Sequence, residues 1–193
     1  MKIARILAPI ETLGPGQRLV IWTRGCSKHC RGCANPELWD IAGAREYAVG
    51  DILQIIGNIS STMELNGITI SGGDPLEQRE ELLQLTESLA ARFEDILVYT
   101  GYEYRELEML WTGRDLERLR ASVAVLIDGP YREEENRTDV VLRGSANQQI
   151  IFFKEHLKTL YEAYLQKGRK IQNIYMGRQL VSVGIHSRKE TQP

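Results

Sequence analysis

Short β-branched runs alternate along this chain with helical apolar periodicities, and nearly every run closes on a glycine. That alternation restricts the fold more than any other feature. Residues 18–23 (RLVIWT) follow the turn signal Gly14-Pro15-Gly16 and lead into Gly25-Cys26. Residues 67–70 (GITI) feed Ser71-Gly72-Gly73-Asp74-Pro75, residues 95–100 (DILVYT) feed Gly101, and residues 123–127 (VAVLI) feed Asp128-Gly129-Pro130. Between them, apolar residues at 49, 52, 53, 55, 56 and 59 fit one helical face. Residues 76–93 and 104–119 have the same period, the latter broken near Thr112-Gly113. Strand and helix in alternation predict βα units, an α/β fold and a mainly parallel sheet. In such sheets ligands gather at the carboxyl ends of the strands, where all these glycines fall.

The 193 residues suit one domain and fall short of the ~250 of a complete eight-fold β/α barrel. Hydrophobic content of 42% and charge of 26% are globular values and argue against a disordered chain. A formal charge of −2 gives no general pull toward nucleic acid or an acidic membrane. No run approaches the ~20 apolar residues that span a bilayer. The apolar stretch at 6–10 is broken by Pro9 and followed by Glu11, unlike a signal peptide. A soluble cytoplasmic protein is expected.

Composition shifts after Phe153. Residues 154–193 carry eight basic side chains against three acidic ones, a local charge of +5, which leaves −7 for residues 1–153. We therefore divide the chain into a core domain, 1–153, and a basic extension, 154–193, packed on the same domain. In the extension, 156–166 read as a helix, 171–185 as a hairpin turning near Gly177, and 187–193 as a frayed end. The charged stretch 131–139 reads as a surface loop. The basic extension is either a solvated surface or a docking face for an acidic partner.

Cys26, Cys30 and Cys33 are the only cysteines, and all lie within eight residues. An odd number packed this tightly is no disulfide framework, so a reduced compartment and a local thiolate cluster are expected. Structural zinc normally takes four protein ligands, and His29, His156 and His186 supply no recognisable partner spacing. A ferredoxin-like carrier needs four cysteines per cluster, one more than are present. A [4Fe–4S] cluster held at three irons leaves the fourth open to a substrate or cofactor, as a catalytic site requires. The spacing leaves the zinc site and the open cluster both standing. No Ser/His/Asp set, Walker loop or paired carboxylates accompany it.

The Cys-x3-Cys-x2-Cys spacing, in the form GCSKHCRGCANPELW, resembles that of the radical S-adenosylmethionine enzymes. Within that superfamily it is most similar to the activating enzymes of glycyl radical proteins, above all the activases of the anaerobic ribonucleotide reductase, which also have glycine where Gly32 stands. The likeness continues through Gly14-Pro15-Gly16-x-Arg18, Asn35-Pro36, Trp39, Ser71-Gly72-Gly73-Asp74-Pro75-Leu76, Tyr99-Thr100-Gly101-Tyr102, Asp128-Gly129-Pro130-Tyr131 and Arg143-Gly144-Ser145-x-Asn147-Gln148.

The resemblance implies an open, incomplete (partial TIM-like) β/α barrel with the cluster loop after its first strand. It implies a [4Fe–4S] cluster on Cys26, Cys30 and Cys33, and S-adenosyl-L-methionine as second cofactor. The implied reaction is hydrogen abstraction from a glycine of a glycyl radical enzyme, with flavodoxin or ferredoxin as reductant. Gly32 and Ala34 flank the last ligand, Gly72-Gly73-Asp74 meet the methionine amino group, and Thr100 and Asn147 belong to the same pocket. Asp74 is equally placed to cap the helix starting around Leu76, and Thr100 to bond strand-end backbone. Arg18 and Arg24 either stabilise anionic groups near the cluster or form surface ion pairs. Trp22, Trp39 and Trp111 read as packing residues, and His29 as exposed. The alternatives are a paralogue modifying another peptide and a non-catalytic zinc-binding interaction module.

Overall fold

All six side chains of Arg18–Thr23 (β2) are buried, as a strand covered on both faces requires. In the computed structural model, which describes residues 1–177 and 179–187, β2 pairs in parallel with Gly67–Gly72 (β4). The parallel set continues through Ile96–Tyr99 (β5) and Val125–Asp128 (β6). The four parallel strands follow the expected runs closely.

The flanks do not. Lys2–Ile10 (β1) pairs antiparallel with β2, Arg45–Glu46 (β3) with β1, and Gln149–Phe152 (β7) with β6. The seven-stranded order is β3-β1-β2-β4-β5-β6-β7. The sheet is therefore mixed, a parallel centre with antiparallel flanks, rather than mainly parallel. The cysteine loop follows the second strand in the chain, the first of the parallel set. β1 accommodates Pro9 at the register shift between Leu7 and Ile10, the irregularity that proline demands in a sheet.

Alternate residues of each strand feed opposite cores, as a period of two dictates. Leu19, Ile21, Ile68, Ile70, Ile96 and Val98 pack on one face. Val49–Ser60 (α1), Arg79–Ala90 (α2), Tyr104–Leu110 (α3) and Gly113–Ser122 (α4) cover that face through Ile52, Ile56, Leu83, Leu107 and Leu119. The break at Thr112 is real, with its hydroxyl capping α4 through the Asp115 N–H. The helix expected from residue 76 begins instead as a 3-10 turn at Pro75–Gln78, and the stretch 131–139 contains another at Glu133–Glu135.

The extension covers the other face. Leu157, Tyr161 and Tyr164, at and within Lys158–Leu165 (α5), pack on Leu97, Val125 and Ile127. The hairpin of Ile171–Met176 (β8) and Gln179–Gly184 (β9) sets Ile174, Val181 and Val183 against Ile10, Val20 and Trp22. Arg178 and residues 188–193, including most of the expected frayed end, lie outside the described residues. Among the described residues no helix is long and apolar enough to cross a membrane.

Arg18 is a correction to the sequence reading. It is 0% exposed and lies at the amino end of β2, away from the cysteine loop. Its guanidinium pairs with Asp95 at 2.6 Å and donates to Thr69 Oγ1 and to the Ile68 carbonyl, each at 2.7 Å. Tyr161 adds a hydroxyl to the same Asp95 carboxylate at 2.7 Å. Burial acts to lower the arginine's proton affinity, but Tyr161 and Asp95 outweigh it and the guanidinium stays charged.

Candidate metal centre

β2 ends at Thr23, and Gly25 turns the chain with φ +97°, a conformation that favours glycine. The excursion that follows is closed at its base. Gly25 N–H donates to the Leu38 carbonyl at 2.9 Å and Cys26 N–H to that of Trp39 at 3.1 Å. Leu38 anchors the returning arm in the core. Inside the loop, His29 and Gly32 have positive φ, +46° and +73°, and Cys33 N–H bonds the Cys30 carbonyl at 3.2 Å.

The three thiols are free and partly exposed. Asn35 N–H points at Cys33 Sγ, 3.5 Å away. Burial pushes the Cys26 thiol up, against the pull of the Lys28 and His29 backbone N–H groups. Burial also raises Cys30, against the Tyr131 backbone N–H. Neutral in isolation, such thiols ionise when a cation arrives, and the N–H groups stand ready to stabilise the sulfur charge.

Each histidine has another neighbour. His29, within the loop, is exposed and lies against Trp39, with ring centroids 4.9 Å apart. His156 pairs with Glu94, and His186 lies beside the Ser182 carbonyl. The two carboxylates near Cys26, Asp74 and Glu77, are engaged in the hydrogen bonds described below. Three thiols on one loop, with its histidine against Trp39, fit a cluster held at three irons better than a four-ligand zinc site.

The end of β4 supports this loop from below. Gly73 N–H donates to the Thr23 carbonyl at 2.9 Å and Asp74 N–H to that of Gly25 at 2.6 Å. A Cβ on Gly72 would lie 2.2 Å from Thr23 N, and one on Gly73 would lie 2.2 Å from Gly25 O. Both glycines thus permit backbone to meet backbone under the cysteines. Gly73→Ala should displace the loop base, costing about 1–3 kcal/mol. The check is a lower melting temperature in the cluster-free protein together with reduced iron uptake.

Asp74 is 1% exposed. Its carboxylate accepts from Leu76 N–H at 3.1 Å, the Thr100 hydroxyl at 2.9 Å and Gly101 N–H at 2.9 Å. Burial pushes it up to about 6, the hydrogen bonds pulling the other way. Asp74 therefore caps the turn at Pro75, as one sequence reading had it, and also ties the end of β4 to that of β5. Thr100 donates to this carboxylate and also bonds backbone at the strand end, as the alternative reading had it, its oxygen accepting Tyr102 N–H at 3.1 Å.

Cys26, Gly72, Gly73, Asp74 and Thr100 are brought together, while the other expected residues are spread around the rim. Gly32 and Ala34 are exposed. Asn147 lies two strand ends along from Asp74, beside Gly129. Its amide donates to the Pro130 carbonyl and accepts from the Ser145 hydroxyl. It lines a cavity of about 430 Å³ with Asp128, Arg132 and Gln149. Arg24 bonds the carbonyls of Asp40 and Ala42 on the returning arm.

Four supporting residues escape the sequence reading. Glu77 accepts from both the N–H and the hydroxyl of Ser27, at 2.7 and 2.6 Å. Lys28 Nζ stands 3.6 Å from the centre of the Tyr102 ring, a cation–π contact. Both pairs join the cysteine loop to distant turns, so no local spacing announces them.

Residues 12–151 match the family described as the 4Fe-4S single cluster domain. Among curated proteins, the anaerobic ribonucleoside-triphosphate reductase-activating protein of Enterobacteria phage T4 is 34% identical over 141 residues, 71% of this chain and 85% of the relative. The protein of the same description from Haemophilus influenzae is 34% identical over 148 residues, 73% of this chain and 91% of the relative. The one from Escherichia coli is 30% identical over 148 residues, 74% of this chain and 93% of the relative. The family match stops at Ile151, before the basic extension.

Proposed function

The chain belongs to the 4Fe-4S single cluster domain family, among the relatives of the anaerobic ribonucleoside-triphosphate reductase-activating proteins, and from that premise we propose that it is a radical S-adenosylmethionine activase. Its substrate in this reading is a glycine of an anaerobic ribonucleotide reductase. The observation that carries the proposal is a single loop that holds all three free thiols, set at the carboxyl ends of parallel strands. A reduced cluster held there would supply the electron for reductive cleavage of S-adenosyl-L-methionine, the chemistry needed to remove hydrogen from the glycine.

The chain's own residues hold and orient. Cys26, Cys30 and Cys33 are the ligands. Gly72 and Gly73 bring the β4 backbone beneath them, and Asp74 and Thr100 fix the neighbouring strand ends that would receive the methionine moiety. With its carboxylate buried and fully engaged, Asp74 serves by tying the end of β4 to that of β5. Gly32, Ala34 and Asn147 belong to the rim over which the partner's glycine segment enters. The open sheet, in this reading, is the wall of an incomplete β/α barrel, and the reductant is a flavodoxin or ferredoxin of the cytoplasm.

Anaerobic reconstitution with reductant and S-adenosyl-L-methionine tests the proposal. The expected result is about four irons and four sulfides per chain, with methionine and 5′-deoxyadenosine released. Mixing with the reductase should then give the electron-spin-resonance doublet of a glycyl radical. Colourless protein with a single zinc would overturn the activase reading in favour of an interaction module. Cofactor cleavage without the doublet would move the substrate to another peptide.

A further inference from the structure

The stretch 131–139 leaves β6 and crosses the cysteine loop. Glu133 reaches it twice. Its carboxylate lies 3.1 Å from Arg31 Nε, and its carboxyl carbon is 2.9 Å from where a Cβ on Gly32 would stand. Arg31 and Gly32 are the two residues between Cys30 and Cys33. With the Arg31 side chain 90% exposed, the ion pair itself contributes little. Gly32, lacking a side chain, leaves room for the Glu133 carboxylate, and from the same stretch the Tyr131 backbone N–H bonds Cys30.

The other side of this stretch is held from the extension. Arg169 Nε donates to the Val140 carbonyl at 2.7 Å, and Nη1 donates to Asn136 Oδ1 at 2.7 Å and to the His186 carbonyl at 3.2 Å. Asn136 in turn donates to the Tyr131 hydroxyl and to the His186 carbonyl, both at 3.0 Å. One guanidinium thus joins Asn136, midway along the stretch, and Val140, just beyond it, to the segment after the hairpin. A lysine, with a single nitrogen, cannot bridge these divergent acceptors.

We infer that Arg169 is a positioning residue for the cysteine loop, acting through Asn136 and the 131–139 strap on the segment between Cys30 and Cys33. Arg169 lies in the extension, outside the family match, so this chain steadies its loop with a part that the match does not include. The inference rests on the proposed function for its meaning, because Cys30 and Cys33 are taken as cluster ligands.

The test uses the full chain. In cluster-free protein, iodoacetamide alkylation of each cysteine is followed by peptide mass spectrometry for Arg169→Gln, Asn136→Ala and the exposed control Lys158→Gln. Both strap variants should alkylate several-fold faster at Cys30 and Cys33. Cys26, fixed by the β2 base and the Ser27–Glu77 contact, should keep its rate, as should all three cysteines in the control. In reconstituted protein, a ferrous chelator should strip iron about 10-fold faster from the strap variants, the scale seen when outer-shell support is removed. Unchanged rates at all three cysteines would overturn the inference, and so would equal acceleration at all three, which marks general loosening. If Arg169→Gln fails to fold, Asn136→Ala decides alone. Alkylation needs no cluster, so its outcome stands apart from whether the protein binds four irons or cleaves the cofactor.

Discussion

Replacing Cys30 with alanine should reduce the iron of anaerobically reconstituted protein from about four per chain to near zero, and cofactor cleavage to background. The chain has three thiols in all, and His29, the histidine beside Cys30, lies against Trp39. Two thiolates cannot hold a cube of which three irons need protein ligands. Serine at the same position should do no better, because a hard hydroxyl is a poor donor to iron–sulfur clusters. The cluster-free variant should melt with the cluster-free parent. None of the three cysteines belongs to a hydrophobic core, and the Cys26–Trp39 rung that closes the loop uses backbone alone. Metal analysis paired with a thermal melt separates the outcomes. Full iron in Cys30→Ala would show that the ligand set is different, whereas a large loss of stability would show that the loop itself supports the fold.

Arg18→Met should destabilise the protein by about 3–5 kcal/mol, the cost of leaving one member of a buried ion pair without its partner. For a chain of this size that lowers the melting temperature by roughly 6–20 °C. Asp95 would keep the Tyr161 hydroxyl as a donor but lose both guanidinium contacts, at 2.6 and 3.2 Å. The Thr69 hydroxyl and the carbonyls of Pro15 and Ile68 would lose donors as well. Space is not the difficulty, since methionine is shorter than the arginine against which Gly14 and Gly67 already pack. A triple variant, Arg18→Met with Asp95→Leu and Tyr161→Phe, should recover much of the loss, because apolar replacement of a whole buried network is often neutral. A single variant that melts at the parental temperature would show that the network adds nothing to stability.

Arg18 also shows where sequence reasoning reaches its limit. Its place on a strand leading to the cysteines suggested a role beside them, yet the strand's own length of about 17 Å separates Arg18 from Thr23. Central strands were legible because Leu19, Val20, Ile21 and Trp22 are buried on both faces and appear as one apolar run. β1 has only partial cover over much of its length and includes Arg5 and Pro9, so its pattern is diluted. β7 is four residues long and partly exposed. The cysteine spacing is local chemistry and survives in a linear reading. Ser27 with Glu77, Lys28 with Tyr102, and Arg169 with Asn136 are pairings made only when distant segments fold together.

The wide sequence separation of Arg18, Asp95 and Tyr161 has a consequence for the order of assembly on the ribosome. A nascent chain through residue 153 already contains every strand of the large sheet. The charge pair can form at that stage, while its tyrosine donor and the apolar cover of α5 are still to come. Because synthesis is vectorial, the sheet must wait with one face uncovered until α5 and the hairpin emerge, and the seating of Tyr161 on Asp95 is a late event. In that interval Leu97, Val125 and Ile127 lack the apolar cover that Leu157, Tyr161 and Tyr164 later give them.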